Sequence, residues 1–305
     1  MPLDFVYDSA VLLLSIILNL ILLPFYIVHQ LYDSLTFKPT APPKSVLITG
    51  ASSGIGESLA KTYAANGTKN LILLGRNEEK LKRVKEICQK KGANVAIYVA
   101  DVTDREKMDE IIKSQPNLDL VIANAGVSQY TIMRDQKKTK LDDSLVKEDM
   151  EREVININLH GVLNTVYPAI RYFLQHNKNK TSQICIVSSK AAQIPMLTNV
   201  YGCTKGYVTN FAFNLRREYA SKNIRVNNVL PCWVETSMAD AYKGDKFFMI
   251  SSDKAAKIII DGLSNDTPNI SFTFATSFMM DITSNIPWFY QLVLQKYIRV
   301  VKDVE

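Results

Sequence analysis

Tyr201 and Lys205 stand four residues apart in Tyr201-Gly202-Cys203-Thr204-Lys205, a spacing that puts both side chains on one face of a helix. A tyrosine hydroxyl, with an ordinary pKa of about 10, is a poor acid near neutrality unless a cation stabilises its phenolate. A lysine one turn away supplies that cation, and such a pair can deliver a proton to a carbonyl oxygen. Far upstream the chain reads Thr49-Gly50-Ala51-Ser52-Ser53-Gly54-Ile55-Gly56. A glycine-rich segment of this kind can cradle a dinucleotide, whose hydride would reach the carbonyl carbon.

The three glycines have separate tasks. Gly50 permits a tight turn, Gly54 lets the backbone approach a pyrophosphate, and Gly56 lets the following helix pack close to the sheet. Free amides at the helix start then face the phosphates. Glycine spacing alone is a weak signal, but here Ser45-Val46-Leu47-Ile48 reads as a strand before it and residues 57–65 carry a helical pattern after it. The choice of dinucleotide is written in Leu71-Ile72-Leu73-Leu74-Gly75-Arg76-Asn77, where an acidic side chain would hold the ribose diol of NAD and repel a 2′-phosphate. No acid is present. Gly75 leaves room and Arg76 offers a guanidinium to the phosphate, with Asn77 and Ser52 as helpers, so NADP(H) is favoured over NAD. The competing reading makes Arg76 a solvated loop cation.

Elements of the right kind recur along the chain. Strands are predicted over 45–48, 71–74, 95–98, 118–123, 184–187 and 225–229, with helical stretches between them, and a last strand over 270–274 follows a helix over 252–263. This alternation predicts an α/β fold, a single Rossmann-like doubly wound parallel sheet with helices on both faces. With 305 residues, 47% of them hydrophobic, the chain can bury a full core.

Outside that domain the chain carries other signals. Residues 10–28 contain no charge and as a helix would span roughly 28 Å, about one bilayer core. Residues 1–37 are therefore expected to form an N-terminal membrane anchor, with a transmembrane helix over 10–28. A proline-rich tether follows over 38–44, the catalytic domain over 45–275, and an apolar or amphipathic extension over 276–305. Asn19 and Pro24 leave open an in-plane segment. Asp4 and Asp8 precede the apolar run while Lys38 and Lys44 follow it, which places the domain in the cytosol by the positive-inside rule. Four sequons, at Asn66, Asn179, Asn265 and Asn269, argue for the lumen only weakly, because such triplets arise by chance in an Asn- and Thr-rich chain. The four cysteines show no paired spacing and read as reduced thiols. A net charge of +6 is too diffuse to indicate nucleic acid, and His29, His160 and His176 form no metal-binding pattern. Packing of the last segment on the domain or on a homodimer partner is preferred over membrane contact.

The order of these motifs over residues 44–238 resembles the short-chain dehydrogenase/reductase family, with Asp101 after the third strand and Asn124-Ala125-Gly126 after the fourth. The resemblance implies that Asp101 and Val102 border the adenine and that Asn124, Ala125 and Gly126 hold the central sheet near the cofactor. Pro231, Val234 and Thr236 would lie beside the nicotinamide amide. It implies Tyr201 as the general acid, Lys205 as its cation and ribose ligand, a serine holding the substrate oxygen, and Asn158 supporting a relay water, with Asn156 a nearby decoy. Ser189 is the favoured serine and Ser188 the alternative. Two departures stand out: Cys232 replaces a glycine after Pro231, and a basic polar insertion surrounds residues 134–140. A loop over 237–250 is expected to form a lid. The implied activity is NADP(H)-dependent reduction of a carbonyl on an apolar lipid, steroid or retinoid-like substrate at a membrane, with the endoplasmic reticulum favoured. An oxidative hydroxysteroid- or retinol-type dehydrogenase, a ketosphinganine reductase and a non-catalytic NADP-binding scaffold are the alternatives.

Overall fold

The computed structural model describes residues 42–135, 144–177, 180–193, 200–241 and 249–272, with isolated helical positions between 13 and 28. The chain runs β1 (Ser45–Thr49), α1 (Gly54–Ala65), β2 (Asn70–Gly75), α2 (Glu78–Gln89), β3 (Asn94–Val99), α3 (Arg105–Lys113), β4 (Leu120–Ala123), α4 (Gln129–Asp135) and α5 (Ser144–Ile155). It continues through α6 (Gly161–His176), β5 (Ser182–Val187), α7 (Val200–Tyr219), β6 (Ile224–Leu230), α8 (Ser237–Asp240), α9 (Ser252–Ser264) and β7 (Asn269–Ser271).

The seven strands form one sheet in the order β3-β2-β1-β4-β5-β6-β7, every neighbour parallel. Parallel strands are covered on both faces and so read as continuous apolar runs. Successive side chains of β1 point to opposite sides. Val46 and Ile48 join Leu59 of α1, Leu81 of α2 and Ile259 of α9 in one core, whereas Leu47 joins Ile111 of α3, Val166 of α6 and Val208 of α7 in the other. Burying one such side chain contributes about 1.5–3 kcal/mol, so the central strands make a stiff platform. The winding reverses between β1 and β4, and the crevice outside the carboxyl ends of strands at such a point is where open α/β sheets bind ligands.

Most predicted boundaries move outward by one or two residues, and two strands instead come out shorter than predicted, the last with residues 273–274 outside the described residues. The fourth strand starts at Leu120 instead of 118, because the Asp119 carboxylate accepts the backbone N–H groups of Lys44 and Ser45 at 2.8 and 3.0 Å and so ties down the entry to β1. The last strand is the three-residue β7. Within the basic insertion Arg134 lies in α4, pairs with Asp135 and donates to the Ser237 carbonyl of α8. Residues 136–140 of the insertion and 242–248 of the expected lid fall outside the described residues, as does the extension over 276–305. Among the described residues no helix is long and apolar enough to cross a membrane, and most of the expected span over 10–28 lies outside them. Among the described residues no disulfide forms.

Candidate active site

The β1–α1 turn is built by close backbone approach. Gly50 and Gly54 adopt φ of 67° and 55°, a left-handed conformation that costs side-chain-bearing residues strain. A Cβ on Gly56 would sit 2.3 Å from the Gly50 carbonyl oxygen and 2.6 Å from Asn124 Nδ2. That amide donates to the carbonyls of Thr49 (2.9 Å) and Gly50 (3.3 Å). Thr49 Oγ1 in turn accepts the N–H groups of Asn124 and Ala125, each at 3.1 Å, and a Cβ on Gly50 would press 2.9 Å from Ala125 Cα. The ends of β1 and β4 are thus stapled together. Ser53 begins α1 in an extended conformation without a side-chain cap, which leaves the first helical amides free for an anion. Ile55 faces inward and packs on the core.

Other predicted residues gather around this turn. A Cβ on Gly54 would meet Thr236 Cγ2 at 2.9 Å, so the segment after β6 closes over the glycines. Thr236 caps α8 through Ala239 N, Val234 is buried and bridges to Ile250, and the Pro231 carbonyl accepts Lys190 N at 2.9 Å. On the other flank Ser52 Oγ lies 3.2 Å from where a Gly75 Cβ would be. Arg76 reaches Asp101 only at 3.8 Å, with their side chains 58% and 38% exposed. Exposed pairs of this kind contribute about 0–1 kcal/mol, so little holds the guanidinium from an anion. Asp101 Oδ1 is taken by the N–H and hydroxyl of Thr103, while Val102 fills the space a Cβ on Gly161 would need, 2.5 Å away. Asn77 also has a structural task. Its Oδ1 accepts Lys80 N at 2.9 Å and caps α2, leaving only its amide N–H groups to serve a phosphate. The uncapped helix start, the cradle that a Cβ would fill and the Ser52–Gly75–Arg76 corner all fit a dinucleotide.

The predicted catalytic side chains meet where β5, α7 and the start of α6 converge. Lys205 is 3% exposed. Its Nζ donates to the Val187 carbonyl at 2.9 Å and stands 5.8 Å from the centroid of the Tyr201 ring. Burial pushes its pKa down to about 8. Burial raises the pKa of the partly exposed Tyr201, and a hydrogen bond from Ser189 opposes that rise. Ser188 turns the other way, donating to the Lys205 carbonyl at 2.8 Å.

Asn158 lies in a π-helical turn, Asn156–His160, that links α5 to α6, a distortion frequent at functional sites. It is fully buried. Its Oδ1 accepts Val127 N at 2.9 Å, and its Nδ2 donates to the Val127 carbonyl at 3.0 Å and to Thr204 Oγ1 at 3.1 Å. Asn156 is exposed. Gly126 lets the two polar groups converge, since a Cβ there would lie 3.2 Å from Asn158 Oδ1 and 3.3 Å from Lys205 Nζ. Thr204 and the Val127 and Val187 carbonyls were not among the predicted site residues. The only sequence signal for Thr204 was its place between Tyr201 and Lys205.

Comparison with known proteins agrees with this geometry. Residues 44–246 match the family described as short chain dehydrogenase. A relative from Arabidopsis thaliana named 11-beta-hydroxysteroid dehydrogenase-like 3 is 34% identical over 265 residues, which cover 82% of this chain and 81% of that protein. Among solved structures, a short-chain dehydrogenase from Sphingobium yanoikuyae in complex with NADPH superimposes with a TM-score of 0.66 at 22% identity, covering 78% of this chain and 92% of that one. A short chain dehydrogenase from Mycobacterium paratuberculosis bound to NAD gives 0.62 at 22% identity, covering 75% and 95%. These two structures share the fold and differ in their dinucleotide.

Proposed function

The chain belongs to the short-chain dehydrogenase family, and from that premise we propose that this oxidoreductase uses NADPH to reduce a carbonyl on an apolar, steroid-like substrate. The observation that carries the reading is the convergence of Ser189, Tyr201, Lys205 and Asn158 beside the glycine turn. When bound, the nicotinamide coenzyme supplies hydride to the carbonyl carbon. Tyr201 gives its hydroxyl proton to the carbonyl oxygen, and Ser189 donates a hydrogen bond that holds that oxygen. Lys205 stabilises the phenolate through its charge and binds the nicotinamide ribose. Asn158, whose side chain fixes Val127 and Thr204, orders the path by which the tyrosine regains its proton.

For the coenzyme, Thr49, Gly50, Ser53, Gly54, Ile55 and Gly56 form the pyrophosphate cradle. Asp101 and Val102 border the adenine, Asn124, Ala125 and Gly126 form the floor, and Pro231, Val234 and Thr236 face the nicotinamide. Arg76, with Ser52 and Asn77, takes the 2′-phosphate. What supports NADPH over NADH is that neither Arg76 nor Asn77, the two residues directly after β2, is acidic and that Arg76 is lightly held. The substrate class draws support from the name of the Arabidopsis relative and from the uncharged run over 10–28, which would anchor the chain in the endoplasmic reticulum membrane with its domain in the cytosol. The same residues serve alcohol oxidation, and the relative's name, a dehydrogenase, keeps that direction as the second reading. Coenzyme oxidation by the detergent-solubilised full chain, with NADPH and with NADH, over ketosteroids, retinal, long-chain ketones and ketosphinganine tests the proposal. NADPH-dependent turnover of ketosteroids supports it. Turnover restricted to NADH or to polar carbonyls overturns it.

A further inference from the structure

Three consecutive residues at the end of β5 hold α7, each through a different group. The Val187 carbonyl accepts Lys205 Nζ at 2.9 Å, the Ser188 hydroxyl donates to the Lys205 backbone carbonyl at 2.8 Å, and Ser189 hydrogen-bonds Tyr201. Ser188 is itself fixed to the sheet, because its N–H donates to the Val229 carbonyl at 2.8 Å. Thr209, one helical turn beyond Lys205, donates its hydroxyl to Ser188 Oγ at 2.7 Å. Residues four apart share a helix face, so Lys205 and Thr209 grip the one serine from above and below.

We propose that Ser188, backed by Thr209, is a positioning residue that fixes where Lys205 stands beneath Tyr201 and thereby sets the rate of proton delivery without touching substrate. This deepens the reductase reading and rests on it. The Ser188 hydroxyl is committed on both sides, accepting one hydrogen bond and giving one, so it has no proton to offer a substrate oxygen. Its burial makes the commitment costly to lose. Without it, the Thr209 hydroxyl loses its acceptor and α7 loses the hydrogen bond that holds the Lys205 backbone to the end of β5. A helix that slides by a few tenths of an ångström carries Lys205 with it, and catalytic geometry tolerates little such looseness.

The test compares Ser188→Ala, Thr209→Val and Thr209→Ser with wild type, using NADPH and the carbonyl of the panel that the wild type reduces fastest. Ser188→Ala should lower kcat about tenfold, the scale of one net hydrogen bond, leave KM for the carbonyl within about twofold, and raise the solvent deuterium isotope effect on kcat as proton transfer becomes limiting. Thr209→Val should show a smaller loss in the same sense, and Thr209→Ser should restore wild-type behaviour. A Ser188→Ala protein with the wild-type isotope effect, whether fully active or reduced only in proportion to its folded fraction, overturns the proposal. If that variant does not fold, Thr209→Val decides on the same readout, since it keeps the bond from Ser188 to Lys205. A wild type that turns over no carbonyl would instead sink the reductase reading on which the proposal stands.

Discussion

Gly56 and Gly50 approach so closely that a Cβ on Gly56 would lie 2.3 Å from the Gly50 carbonyl oxygen. That oxygen cannot swing aside freely, because Asn124 Nδ2 donates to it and to the Thr49 carbonyl. Gly56→Ala should therefore destabilise the domain by about 1–3 kcal/mol, the usual cost of overpacking, and weaken NADPH binding at least tenfold in a fluorescence titration. Gly67 is the control. Unlike Gly56 it has a positive φ, but a Cβ there meets nothing within 4 Å, so Gly67→Ala should affect stability alone, through backbone strain, and leave coenzyme affinity unchanged.

Lys205 is held down to a pKa of about 8 by burial. An unfolded lysine keeps its proton up to about pH 10.4, whereas the folded one releases it above about 8. The folded state therefore binds fewer protons between these values, and stability rises with pH across that window. Below pH 8 the full penalty of a buried charge is present. Lys205→Met removes it and should be more stable than wild type at pH 7 by up to about 3 kcal/mol, less the cost of leaving the Val187 carbonyl without its donor, about 1–3 kcal/mol. Urea denaturation should show the variant losing ground to wild type as pH rises from 8 toward 10. A difference that does not change with pH would contradict this account of the site.

Arg76 carries the coenzyme preference in the proposed function. A charge-assisted hydrogen bond is worth about 1.5–3 kcal/mol, so Arg76→Ala should raise KM for NADPH roughly 10- to 150-fold while leaving KM for NADH within about twofold. Arg76→Asp should reverse the preference. Steady-state kinetics with both coenzymes checks it, and equal losses for the two would mean that Arg76 does not face the 2′-phosphate.

Much of this was legible in the sequence because the decisive features are local. The turn glycines sit between an apolar strand and a helix, and the four-residue step from Tyr201 to Lys205 fixes a shared helix face without any tertiary knowledge. The sheet followed from apolar runs spaced by helices, and the parallel order of β1, β4 and β5 agrees with it. What stayed hidden depends on direction and on distant partners. Ser188 and Ser189 are adjacent, and only the structure shows one hydroxyl turned to the Lys205 backbone carbonyl and the other toward the Tyr201 side chain. The π-helical turn at Asn158 leaves no pattern in residue type, and its partners Val127 and Thr204 lie 31 and 46 residues away. Asn77 looked free to bind phosphate because capping of α2 by its Oδ1 depends on backbone geometry. The late start of the fourth strand likewise arises from Asp119 reaching 74 residues back to Ser45.

The most direct test of the central claim is NADPH oxidation by the full-length protein and by Tyr201→Phe, on the best ketosteroid substrate, with coenzyme affinity measured in parallel. The account predicts that the variant keeps wild-type NADPH affinity and loses at least about a hundredfold in kcat, the lower range for removing a general acid. A Tyr201→Phe protein that still reduces the ketone at the wild-type rate would show that proton delivery does not pass through Tyr201, and the assignment of this site would fall.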